Sequence, residues 1–132
     1  ICDYEKLLED LEDLAVVAML GNNETGALSW VEQISRLSRK NGSAFICDMC
    51  QGFPGLFEEV TWFDLAFCAP HKFGGPKGIG VLAVRAPHKI KRLVAGGGQE
   101  RDLRSGTENV AAVVAKREED IMEVVAKRMA VL

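Results

Sequence analysis

The chain has 132 residues, 48% of them hydrophobic and 27% charged, with a formal net charge of -3, a balance that fits one globular unit. Mixed, slightly acidic charge argues against a nucleic-acid partner, and no apolar run is long enough to span a bilayer. The first residues lack the basic and then apolar order of a signal peptide, which predicts a cytoplasmic protein without a membrane partner.

Asp3 is placed to cap a short helix in which Leu7, Leu8, Leu11 and Leu14 recur at helical spacing. Ala15 to Leu20 is a continuous apolar run closed by Gly21, which predicts a strand buried on both faces. A helix follows from Trp30 to Lys40, carrying Val31, Ile34, Leu37 and Ser38 and ended by Asn41-Gly42. Ala44 to Cys47 reads as a second strand, Phe63 to Cys68 as a third and Ile79 to Val84 as a fourth. A brief helical piece is expected after Pro87. Ser105 and Glu108 have the spacing of a capping box for a last helix with Val110, Val114, Ile121, Val125 and Met129 on its apolar face. Strands alternating with helices predict an α/β fold with a mostly parallel sheet flanked by helices, its last two strands close enough in sequence to be antiparallel neighbours. The acidic group Glu9, Asp10, Glu12 and Asp13 and the basic group Lys89, Lys91 and Arg92 are read as solvated faces.

Cys47 and Cys50 form a C-x-x-C, yet no second ligand pair accompanies it: Cys2 and Cys68 are isolated, and His71 and His88 lack metal-ligand spacing. No metal site is expected, and the thiols are read as small core residues. The loop Gly75-Pro76-Lys77-Gly78 lacks both the spacing of a nucleotide-binding Walker motif and the Ser or Thr after its lysine.

Three polar groups sit just past the C-terminal ends of predicted strands: Asn22-Asn23-Glu24, Asp48 with Gln51, and His71-Lys72. Open α/β sheets bind their ligands at that edge. An acid, amides and a lysine converging there suit pyridoxal phosphate (PLP): the lysine holds the aldehyde as a Schiff base, and the acid keeps the pyridine nitrogen protonated so that the ring accepts electrons. Lys72 and Asp48 are the candidates for these roles. Asn23 is placed to donate to the ring's phenolic oxygen, and Gln51 shares the loop of Asp48. Each has a structural alternative: Asp48 as a helix cap, Gln51 as a surface amide, Asn23 as a turn residue and Lys72 as a solvated lysine, with Lys77 as a rival lysine.

The string His71-Lys72-Phe73-Gly74-Gly75-Pro76-Lys77-Gly78, together with Asn22-Asn23-Glu24-Thr25-Gly26 and the stretch from Gly96-Gly97-Gly98-Gln99-Glu100-Arg101 through Arg104-Ser105-Gly106-Thr107-Glu108-Asn109, resembles the PLP-dependent cysteine desulfurases of the class V aminotransferase superfamily. The resemblance runs over most of the chain and implies part of a fold-type I PLP-dependent large domain, residues 1–132 forming one partial domain. It implies that Lys72 is the Schiff-base lysine, Asp48 the pyridine partner, Asn23 and Gln51 ring-oxygen contacts, His71 a neighbour of the phosphate, and Thr107 a residue reaching the phosphate of the other subunit of a homodimer. It further implies L-cysteine as substrate, alanine and an enzyme persulfide as products, and a sulfur-acceptor scaffold in iron-sulfur cluster assembly or tRNA thiolation.

This chain departs from the family's pattern in carrying Ala69 where a phosphate-binding serine is common, Pro70 where a small flexible residue is usual, and Ile46 where a histidine is common. Phosphate binding is therefore expected to be weaker. The resemblance places the phosphate cup, the ring-stacking histidine, the catalytic cysteine and the substrate-carboxylate arginine outside these residues. Two further readings are open: a catalytically incomplete remnant or scaffold, and another class V enzyme such as an aminotransferase or selenocysteine lyase, which would keep Lys72 and Asp48 but would not need the string from Arg104 to Asn109.

Overall fold

The computed structural model describes residues 14–53, 62–86, 88, 90–92 and 94–115. The predicted first helix lies outside them, apart from Leu14, which is not helical. Four strands form one sheet in sequence order: β1 (Ala15–Met19), β2 (Ala44–Asp48), β3 (Leu65–Cys68) and β4 (Val81–Val84). β1 pairs with β2 and β2 with β3 in parallel, whereas β3 and β4 are antiparallel. The α/β class and the expected antiparallel last pair are both borne out.

Parallel neighbours need a crossover, and α1 (Val31–Lys40) supplies the one between β1 and β2. Its buried residues are Val31, Ile34, Ser35 and Ser38, spaced to form one helical face. Two of the four are serines, whose small side chains let the helix approach the sheet. Their hydroxyls stay satisfied, Ser35 Oγ donating to the Trp62 carbonyl and Ser38 Oγ to the Ile34 carbonyl. Asn41 donates back to Leu37 at 3.2 Å and Gly42 turns left-handed, which ends the helix as its sequence predicts.

The face of the sheet beneath α1 forms the core. Phe45 and Cys47 from β2, Ala66 and Cys68 from β3, and Ala83 from β4 pack there with Phe63, Val31 and Ile34. Phe45 is wholly enclosed, so Phe45→Ala costs about 3–5 kcal/mol. β1 corrects an expectation. It was predicted to be buried on both faces, but Val17 is 62% exposed and Met19 41%, because alternation turns them to the face opposite the core, which is left open there among the described residues, while Val16 and Ala18 pack against the core.

At the N-terminal edge, buried Asp64 acts as a clasp. Its Oδ2 accepts the Phe45 N–H at 2.8 Å, its Oδ1 lies 3.3 Å from His88 Nε2 and 3.6 Å from Arg39 Nη2, and its carbonyl accepts Arg85 N–H at 2.8 Å. The start of β2, the end of α1 and the segment after β4 are thereby fixed to one carboxylate. A buried charge of this kind persists only when paired and hydrogen-bonded.

Three further expectations change. No helix occurs at the described residues between Pro87 and Val94; the short 3-10 turn falls later, at Glu100–Asp102. α2 (Val110–Ala115) is capped by Asn109, whose Oδ1 accepts Ala112 N–H at 3.2 Å, and not by a Ser105–Glu108 box. Ser105 is buried instead and donates to the Gly97 carbonyl at 2.8 Å. On α2 it is Ala112 that is buried, while Val110 and Val114 are exposed; the predicted continuation of the helix through Met129 lies outside the described residues. Arg92 is no simple solvated cation, because its guanidinium binds the Asp102 carboxylate at 2.7 Å and the Gly96 carbonyl at 3.1 Å. Among the described residues no helix is long and apolar enough to cross a membrane.

Candidate functional site

Because β1, β2 and β3 run parallel, their C-terminal ends share one edge. Register pairs Met19 with Asp48 and Asp48 with Phe67. Hydrogen bonds continue the ladder past the strands: Leu20 N–H donates to the Asp48 carbonyl at 2.8 Å, and Met49 N–H to the Phe67 carbonyl at 2.9 Å.

Beyond β1 the chain turns at Asn22. Its Oδ1 accepts the N–H of Glu24 and of Thr25, both at 3.0 Å, and the Thr25 hydroxyl at 3.2 Å. This is the turn-forming role open to asparagine. It falls on Asn22, which leaves the exposed side chain of Asn23 without a turn-building duty.

Asp48 is the last residue of β2 and is half-buried. Its Oδ1 accepts the N–H of Cys50 at 2.9 Å, an Asx-type bond that bends the chain so that Gln51 follows in the same turn. Gln51 meets the β1 exit: a Cβ on Gly21 would stand 3.5 Å from the Gln51 carbonyl oxygen and 3.7 Å from its Cβ.

β3 ends at Cys68, and Pro70–Phe73 form a single 3-10 turn with proline at its start, where a missing N–H costs nothing. Lys72 N–H donates to the Ala69 carbonyl at 3.0 Å, which sets Lys72 and His71 immediately past the strand with both side chains exposed. Gly74 closes the turn in the left-handed region. Gly75 is required sterically, since a Cβ there would lie 2.7 Å from Pro70 Cβ and something would have to shift. Lys77 lies further along the loop, also exposed.

Cys50 joins the strand ends electrically. Burial raises its thiol pKa first, and a hydrogen bond to Asp48 with the charge of that carboxylate raises it further, while the Ala69 backbone and the cation of Lys72 act in the opposite direction. Cys47, one strand position before Asp48, faces the core, and burial with the neighbouring Asp48 charge pushes its pKa up to about 12. Reading Cys50 as a core thiol missed this place, although its position between Asp48 and Gln51 in one turn was the available signal. Both cysteines are free, and among the described residues no group of three or more His, Cys, Asp or Glu could hold a metal ion.

Asp48, Gln51 and the His71–Lys72 turn are thus brought to one edge, with Asn23 on the adjoining turn. Thr107 is elsewhere, exposed between Gly106 and α2. Two clefts, of about 560 and 510 Å³, are lined by other side chains: one is bordered by Leu28, Trp30 and Trp62, the other by Arg39, Asp64 and His88.

The family model for aminotransferase class-V matches residues 1–124. The chain belongs to that family. Curated relatives include a cysteine desulfurase of Enterobacter agglomerans, 41% identical over 106 residues, and cysteine desulfurase IscS of Rickettsia massiliae, 41% identical over 113 residues. These matches cover 78% and 81% of this chain but only 26% and 28% of the relatives. Among solved structures, a NifS-like protein from Rickettsia africae superimposes with a TM-score of 0.78 at 33% identity, covering 84% of this chain and 32% of that one. Another NifS-like protein gives 0.76 at 36% identity, covering 86% and 33%. The chain therefore spans about a quarter to a third of the length of the class-V proteins it matches, and the resemblance to cysteine desulfurases noted in its sequence is borne out.

Members of the family are PLP-dependent, and the donor set at this edge fits that group. An exposed amine follows one strand and a half-buried carboxylate ends the neighbouring strand. The two strand ends are neighbours, since β2 and β3 pair directly and in parallel.

Proposed function

We propose that residues 1–132 form the cofactor-holding part of a PLP-dependent cysteine desulfurase, with Lys72 as the catalytic lysine. The observation that carries this reading is the convergence of Asp48 and Lys72 at the ends of adjacent parallel strands, where α/β sheets take their ligands.

When bound, PLP supplies an electron sink for the substrate's α-carbon. Lys72 would hold the cofactor covalently through Nζ and would carry protons at that atom. Asp48 would pair its carboxylate with the pyridine nitrogen through a charge-assisted hydrogen bond. Asn23 and Gln51 would orient the ring through its oxygen, and His71 would serve the phosphate. Ala69 brings no hydroxyl to that phosphate, so affinity rests mainly on Lys72 and Asp48. In this reading L-cysteine is the substrate, and alanine and a protein persulfide are the products. The working form is a cytoplasmic homodimer in which Thr107 reaches the partner subunit's phosphate, and the sulfur passes to an acceptor scaffold for iron-sulfur cluster assembly or thiolation. The 41% identity to proteins named cysteine desulfurase supports desulfuration over amino transfer.

The test is to load the chain with PLP and add a panel of amino acids while recording the visible spectrum. Cysteine is expected to change it, and Lys72→Ala to abolish both loading and response. An unchanged spectrum with cysteine, alongside a clear response to a different amino acid, overturns the substrate assignment.

A further inference from the structure

β1 leaves the sheet through a small closed loop whose stem and tip are held by different bonds. Main-chain atoms hold the stem: Asn22 N–H donates to the Ala27 carbonyl at 2.9 Å, Ser29 N–H to the Leu20 carbonyl at 3.0 Å, and Gly21 bridges Leu28. The tip depends on one side chain. Asn22 Oδ1 accepts the Glu24 and Thr25 N–H groups, each at 3.0 Å, and the Thr25 hydroxyl at 3.2 Å. Among the described residues those two N–H groups have no main-chain acceptor. Asn22 Nδ2 reaches back to Met19 Sδ at 3.5 Å, which anchors the same side chain to the residue paired with Asp48. The ring closed from Asn22 Oδ1 to Glu24 N–H has Asn23 as its middle residue, with the Asn23 side chain exposed.

We propose that Asn22 is a positioning residue for Asn23: its side-chain carbonyl fixes the backbone that carries Asn23 and so holds that residue beside the turn of Asp48 and Gln51. The functional consequence rests on the PLP reading, in which Asn23 meets the ring oxygen. A polar contact contributes most when little of it has to be ordered on binding. With Asn22 in place the Asn23 backbone is already set, and only its own side-chain torsions remain to settle. Asn22 acts through Asn23, since its carbonyl is occupied by three donors and its amide by Met19.

The first experiment uses the cofactor-free chain and reads amide hydrogen exchange. Asn22→Ala should speed exchange at Glu24 and Thr25 about fivefold, the ratio for one net hydrogen bond. Leu20 should be unaffected, because its N–H donates to the Asp48 carbonyl and main-chain bonds hold the stem. Those bonds also let the variant fold. Asn22→Ser keeps a neutral acceptor that closes such turns more weakly, and it should recover part of the protection. Unchanged exchange at Glu24 and Thr25 in Asn22→Ala overturns the proposal.

The second experiment follows the pH midpoint of the visible absorbance after PLP is added. Asn23→Ala should shift it, Asn22→Ala should shift it in the same direction, and Asn22→Ser should shift it less. The double variant should match Asn23→Ala alone, since a residue acting through Asn23 has no further effect once that amide is gone. A merely structural role would lower stability and leave the midpoint in place. A parental midpoint in Asn22→Ala, or a double variant in which the two shifts add, overturns the positioning role. Failure of the cofactor reading is distinguishable: PLP binding would then be absent or survive Lys72→Ala, while exchange still decides whether Asn22 sets the turn.

Discussion

Leu20 donates its backbone N–H to the carbonyl of Asp48 at 2.8 Å, so β1 leaves the sheet beside the residue at which β2 ends. One main-chain bond thereby sets the Asn22–Thr25 turn against the turn of Asp48 and Gln51, and neither side chain depends on a long flexible loop for its place.

The neighbouring asparagines divide the work on that turn. Asn22→Ala removes an acceptor used by three donors and should destabilise the chain by about 1 kcal/mol in urea unfolding, the typical net worth of such bonds. Asn23→Ala should leave stability unchanged and weaken PLP binding. A stability loss of the same size for Asn23→Ala would show that Asn23 builds the turn.

Cys47 should make stability fall in alkaline solution. Its folded pKa, about 12, lies above the ordinary thiol value of 9.0, so the folded state keeps a proton that the unfolded chain releases. The contribution is complete below 9.0 and is lost as pH rises through that window toward 12, with a slope of about 1.4 kcal/mol per pH unit. Urea titrations between neutral and alkaline pH should show a shallower decline for Cys47→Ala than for the parent chain. Parallel declines would contradict it.

The glycine-rich stretch is largely exposed. It nevertheless carries its own bonds. Gln99 Oε1 accepts Gly106 N–H at 3.2 Å, Ser105 donates to Gly97, Val94 bridges Arg104, and Arg92 spans the stretch from Gly96 to Asp102. Glu100, Arg101 and Asp102 all have positive φ, a conformation that non-glycine residues hold only when surrounding bonds impose it. Arg92→Ala should speed hydrogen exchange at residues 96–106 by about fivefold, the equivalent of about 1 kcal/mol for a partly exposed pair. Unchanged exchange would assign the order of the loop to contacts other than Arg92.

The four strands, α1 and the three polar strand ends were legible in sequence because each rests on local pattern: apolar runs, a turn at Asn41-Gly42 and polar residues directly after the runs. Parallel pairing then turns sequence position into shared location. What was not legible came from side chains making non-local bonds. Ser105 has cap spacing but binds Gly97, Arg92 looks solvated but holds Asp102, and Val17 belongs to an apolar run of which only the alternate residues on the core face are packed. Cys50 was hidden by its pairing with Cys47 in a C-x-x-C, because adjacent strand and turn positions send the two thiols to different environments.

Residues 1–132 alone should release no alanine from cysteine at an enzymatic rate. Sulfur transfer needs a mobile thiolate, whereas Cys47 is held protonated up to about 12, the Cys50 pKa is also raised, and Cys68 is buried. Amino-acid analysis after incubation with PLP and cysteine should find alanine only at the level given by PLP alone. Alanine above that level, lost on Lys72→Ala and on replacement of one cysteine, would identify the thiol that acts.

The most direct measurement is borohydride reduction of the PLP-loaded chain followed by peptide mapping, since reduction makes the lysine–cofactor bond permanent. The label should lie on Lys72, disappear in Lys72→Ala, and weaken in Asp48→Ala for loss of the pairing charge. A label on Lys77, or one spread over several lysines and indifferent to Asp48, would contradict a cofactor site at the ends of β2 and β3.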